Sequence, residues 1–197
     1  LDPLLCTPWE AAYYTVAQRD LLASQIPAVK KKFPRHTPYS NATAAEIFSE
    51  KELLGGICLE AKTLETHWFE NVSPPSKGGG GREIKFIAHK LPLETQTAPV
   101  SRILAADLTG DGKTDLLLVG NDYGADAQTY RQDASSGCLL KGDGKGGFNF
   151  VPNKVSGFWA SEEARDMSLV RLKSGKNVLV LSNNNSQIRA FWAISGQ

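Results

Sequence analysis

From Ile57 onward the chain is a succession of short apolar runs broken by turn-forming residues, and that pattern leaves few folds open. The runs cover 57–64, 66–71, 84–91, 100–106, 115–119, 138–141, 148–151, 167–172, 177–181 and 187–192. Runs of this length, rich in aliphatic, aromatic and β-branched residues and bounded by Gly, Asn, Asp or Pro, read as strands. Many short strands at close spacing imply an antiparallel sandwich, barrel or propeller. A chain of 197 residues can bury one such core, so the expectation is a mainly β protein and a single unit over 1–197.

Before Gly55-Gly56 the texture is helical. Leu21, Leu22, Ile26, Val29 and Phe33 recur at three- and four-residue steps, an amphipathic-helix pattern that Pro27 must kink or restart. Lys30, Lys31 and Lys32 close it, favourably placed against a helix dipole. Thr43 to Glu46 and Ser49 to Glu52 each fit the capping box that satisfies free amides at a helix start. Pro34 and Pro38 mark the stretch between as a loop. Residues 17–54 therefore read as a small helical insertion near the N-terminus.

Charge and hydropathy exclude several classes. Charged residues make up 22% and the net charge is +1, so no polybasic surface is offered to nucleic acid or anionic lipid. No apolar run reaches membrane-spanning length. The first residue is Leu1, and Leu1 to Leu5 reads as a short strand already under way, as in a piece of a longer chain. Cys6, Cys58 and Cys138 are too widely spaced for a C-x-x-C pair and read as small apolar residues, with a single bridge or a reactive thiol as the alternative. Ser73 to Gly81 is the one low-complexity stretch, a hairpin loop between strands.

The chemistry concentrates between Asp107 and Asp115, in D-L-T-G-D-G-K-T-D. Oxygen side chains at its first, third, fifth and ninth positions, with glycine at the sixth, let a tight turn aim hard ligands at one point. Calcium takes six to eight such oxygens. Asp107, Thr109, Asp111 and Asp115, with the Lys113 carbonyl, are the candidate ligands. Three carboxylates this close would repel one another without a cation and raise at least one pKa. An EF-hand would need flanking helices and a Glu at position twelve, where Leu118 stands. The plainer reading is a Gly-Asp hairpin turn with no metal.

The run D-L-T-G-D-G-K-T-D-L-L-L-V-G resembles the calcium loop of FG-GAP or VCBS-type β-propellers, integrin α-subunit heads among them. Gly120 to Ala125 and Leu139 to Phe148 resemble the blade that follows in large bacterial VCBS-repeat proteins related to the ASPIC and UnbV group, as do segments between Ala17 and Asn71. The resemblance implies a partial propeller of about 2.5–3 antiparallel blades, against the four to eight of a full one. It also implies an extracellular or cell-surface protein, on the outer-membrane or periplasmic side in bacteria, with no established catalysis. Only one complete loop is present; Gly175-Lys176-Asn177, where another would fall, has no carboxylates.

Other motifs point nowhere firm. Gly142 to Gly147 satisfies G-x-G-x-x-G, yet a strand and not a helix follows. His36, His67 and His89 show no ligand or triad spacing. Glu162, Glu163 and Asp166 near Phe158 and Trp159 have the makings of a paired-carboxylate sugar site, against a solvated loop as the simpler reading. Trp9, Trp68, Trp159 and Trp192 read as blade-core aromatics. The expected function is a calcium-stabilised, non-enzymatic module binding a protein or glycan at a cell surface, possible self-association or completion by a missing part of the propeller included. The alternatives are part of a polysaccharide-active propeller enzyme and a calcium-dependent oligomerisation unit.

Overall fold

The computed structural model describes residues 4–54, 56–73, 84–125 and 130–193. The chain divides into two compact units, Leu1–Lys62 and Thr63–Gln197.

The first unit opens on a hairpin of β1 (Cys6–Trp9) and β2 (Ala12–Thr15), absent from the sequence expectation, turning at Glu10 with φ +53°. Of the strand expected at 1–5, Leu1 to Pro3 lie outside the described residues, and Leu4 and Leu5 are not in a strand. Five short helices follow: α1 (Arg19–Gln25), α2 (Pro27–Lys32), α3 (His36–Ser40), α4 (Ala44–Ile47) and α5 (Glu50–Leu54). Pro27 restarts the helix rather than bending it, because its missing N–H falls at the first helical position, where none is needed. Both capping boxes form: Thr43 and Glu46, and Ser49 and Glu52, exchange reciprocal bonds. The loop expected between Pro34 and Pro38 is instead partly helical, because Pro38 sits in the first turn of α3, where amides have no partner. Leu22, Val29, Tyr39, Ala42 and Ile47 form this unit's core. Buried Arg19 is held there by donating to the carbonyls of Phe33 and Pro34.

The strand expected at 57–64 is not formed. Ile57, Leu59 and Leu64 stand almost wholly exposed, 87–90%. A strand needs a neighbour to satisfy its N–H and C=O groups, and among the described residues none lies beside this segment.

The second unit is antiparallel β. A two-stranded sheet of β3 (His67–Asn71) and β4 (Phe86–Lys90) is followed by a 3₁₀ turn at Leu93–Gln96. Most of the loop expected at 73–81 lies outside the described residues. A four-stranded meander runs β5 (Val100–Ala106), β6 (Asp115–Gly120), β7 (Cys138–Gly142), β8 (Phe148–Val151). After the single turn α6 (Asn153–Ser156), β9 (Ala164–Arg171), β10 (Asn177–Asn183) and β11 (Arg189–Ala193) form a three-stranded sheet. Among the described residues no sheet closes on itself.

β6 organises this unit. Its Leu-Leu-Leu-Val run is buried on both faces, the signature of a strand covered on each side. Leu117 and Val119 join Phe158, Ala160, Ala164, Met167, Leu179 and Leu181. Leu118, with Leu116 packed beside it, joins Leu91, Cys138 and Leu140 on the opposite face. The meander is thus the middle layer, and the β5–β6 connection stands at its end. Three of the four tryptophans depart from the expected core role: Trp9, Trp159 and Trp192 are each more than half exposed, because their strand or loop positions alternate outward. Trp68 alone is packed, stacked on His89 at 4.4 Å and edge-on to Phe148.

Candidate metal loop and the hub beside it

Asp107 to Asp115 joins β5 to β6, and the turn is built on its own carboxylates. Asp107 Oδ1 accepts from the amides of Gly110 (2.7 Å) and Asp111 (3.1 Å), and Oδ2 from that of Gly112 (2.9 Å). Gly112, the sixth position, has φ +80°, a conformation that disfavours any side chain. Asp115, wholly buried at the head of β6, accepts from Leu108 and Thr109 on Oδ2 (3.0 and 2.8 Å) and from Gly142 on Oδ1 (2.9 Å). Gly142 is required there, since a Cβ would stand 2.0 Å from the Thr114 carbonyl oxygen. Thus β7 is pressed against the loop.

Asp111 points elsewhere. Its Oδ1 accepts from Lys113 N (3.0 Å), while Oδ2 meets the Lys141 ammonium at 3.0 Å. That ammonium, and then the Lys113 amide, hold the Asp111 carboxyl below its ordinary value. The rise expected from crowded carboxylates is not found at Asp111, whose carboxyl these donors lower. The Lys113 stem lies against Gly144 of the β7–β8 turn. Thr109 Oγ1 is buried and has no hydrogen-bond partner among the described residues. Among the described residues no three His, Cys, Asp or Glu side chains are gathered as a metal centre. The loop carboxylates are linked through backbone amides instead.

The remaining sequence candidates separate. Glu163 is buried, not part of a solvated loop: it accepts from Tyr123 N (3.2 Å) and Asn184 Nδ2 (2.8 Å) and pairs with Arg165. Asn184, with the Tyr123 amide and Arg165 adding to it, keeps its carboxyl below the usual range. Asp166 pairs with Arg102 at 2.9 Å, on the solvent side. His36 faces Asp20, and His89 faces Glu70 (3.0 Å). All three cysteines are free; buried Cys138 keeps the small-apolar role, its thiol pushed up to about 12 by burial, whereas Cys58 is exposed because its segment forms no strand.

Asn121 carries weight that no motif in the sequence marks. It is 1% exposed at φ +80°; its Nδ2 donates to the carbonyls of Ser135, Ser161 and Glu162, and its Oδ1 accepts from Ser135 N. With Glu163 it ties the end of β6 to the segment entering β9. Its one signal was an Asn after a buried strand and a Gly, a position where Asn tolerates left-handed backbone.

Residues 100–136, which hold β5, the acidic loop, β6 and Asn121, match the family model described as FG-GAP repeat. No curated protein and no solved structure matches the chain.

Proposed function

We propose that this chain is a calcium-stabilised β module that binds a protein or glycan ligand at a cell surface and performs no catalysis. The observation carrying the reading is the acidic loop of the FG-GAP repeat, set at the head of the buried strand β6. The donor set supports a hard cation: one turn carries three carboxylates and a hydroxyl, and buried Thr109 Oγ1 has an acceptor to spare. Asp107 Oδ2 and Asp115 Oδ1 each accept one amide, so each retains a lone pair. Asp107, Thr109, Asp111, the Lys113 carbonyl and Asp115 would hold the ion, and when bound it would neutralise their charge and brace the turn. The chain's own part is to orient these oxygens from the backbone and to keep Asp115 from water.

The stacked antiparallel sheets, one of four strands and one of three, support the finer reading of VCBS-type propeller blades with integrin-like loops in an extracellular setting. The exposed tryptophans, Trp159 and Trp192, suit contact with a ligand better than a blade core.

Thermal unfolding in calcium and in chelator tests the metal. Binding to the folded state alone at a hundred times Kd stabilises by about 2.7 kcal/mol, which for a protein of this size is a rise of several degrees in melting temperature. Asp111→Ala should abolish the rise. No rise in the wild type, together with a neutral Asp111→Ala, would overturn the calcium reading. Release of new saccharide ends from pectin-like polysaccharides would overturn the non-catalytic one.

A further inference from the structure

We infer that Lys141 is a resident counter-cation of the loop, holding Asp111 until a divalent ion displaces it, and so sets how much calcium the loop requires. This rests on the calcium reading above. Among the described residues, Asp111 is the one loop carboxylate paired with a cation; Asp107 and Asp115 are satisfied by neutral amides. The difference matters, because an amide N–H and a metal ion can share a carboxylate through different lone pairs, whereas an ammonium and a divalent ion repel one another across it.

Strand geometry makes this arrangement specific. Along β7, Leu140 and Gly142 are buried and Lys141 between them points outward, so its ammonium cannot retreat into the core. Its backbone is fixed: the next residue, Gly142, is pinned to the loop by its N–H on Asp115 and by its close approach to Thr114. Its side chain is not, being about half exposed, with bulk water open to it. Entry of calcium therefore exchanges one cation for another at Asp111 Oδ2, the ammonium passing into solvent with no covalent change. A loop with such a rival is suited to calcium-rich surroundings and stays neutralised at Asp111 where calcium is scarce.

Calcium titration of the full chain by calorimetry tests this, with Lys141→Met, Lys141→Arg and Lys154→Met. Lys141→Met should bind calcium about three- to tenfold more tightly, the range set by a part-exposed ion pair and like-charge repulsion. Lys141→Arg should stay near the wild type, and Lys154→Met, which removes the same charge elsewhere, should not change affinity. In chelator, Lys141→Met should melt lower than the wild type, so its calcium-induced rise widens. Wild-type binding with equal or weaker binding by Lys141→Met would overturn the inference and leave the calcium reading standing. No binding by either would overturn both. Lys141→Gln serves the same purpose should Lys141→Met fail to fold.

Discussion

Asp115 and Asp107 both accept three amide N–H groups, yet they do not carry the same weight. Asp115 is shut from water and supplies the bonds that Leu108, Thr109 and Gly142 have, whereas the amides held by Asp107 belong to exposed residues that water can serve. Removing the carboxylate at 115 leaves one buried donor, Gly142 N, and two part-buried ones unpaired, at about 1–3 kcal/mol for the buried donor and less for each of the others. Asp115→Ala is accordingly expected to destabilise the protein by about 3–5 kcal/mol with calcium absent, and Asp107→Ala by clearly less. Urea unfolding in chelator measures both; equal losses would refute the ranking. The order does not depend on the metal, because these bonds are present without one. Which residues form the acidic turn was legible from spacing alone. That Asp115 is buried while Asp111 turns to Lys141 was not, since both follow from how β7 lies against the loop, a long-range pairing that spacing does not encode.

Among the elements, β6 was the easiest to read, because four consecutive aliphatic residues between two turns fit a strand covered on both faces. The helix starts were equally legible where a capping box marks them, since that signal is local. The segment 57–64 has strand composition and no strand, which shows what composition omits: a ladder needs a second edge. The link from β6 to β9 is not legible for a related reason, since Asn121 donates to the Glu162 carbonyl and Tyr123 N to the Glu163 carboxylate across about forty residues of sequence. That link has a pH signature. The folded Glu163 carboxyl lies below its ordinary, unfolded value, so its contribution is fully present above the unfolded pKa and is lost as pH falls through the folded one. Glu163→Gln should therefore flatten the acid limb of a stability profile between pH 7 and 3 and lower stability at neutral pH. An unchanged slope would mean that the carboxylate does not stabilise the link as an anion.

At the scale of the whole chain, the apolar clusters respect the division into units. One draws only on residues of Leu1–Lys62, and the other two only on residues of Thr63–Gln197. The acidic loop, Lys141, Asn121 and Glu163 all lie in the second. Each unit thus holds its own core, the condition for folding alone. Lys62, with an exposed side chain in the unpaired segment 57–64, offers trypsin backbone bound to no strand partner. Brief digestion of the native protein is expected to cut after Lys62, leaving a product that begins at Thr63. Once purified, that product should unfold cooperatively and keep the calcium-dependent rise in melting temperature of the intact chain, because every residue proposed to hold or compete with the ion remains in it. A product that unfolds on separation would show that the second unit depends on the first for its stability. A folded product without the calcium response would show that a feature before Thr63 takes part in the loop's chemistry.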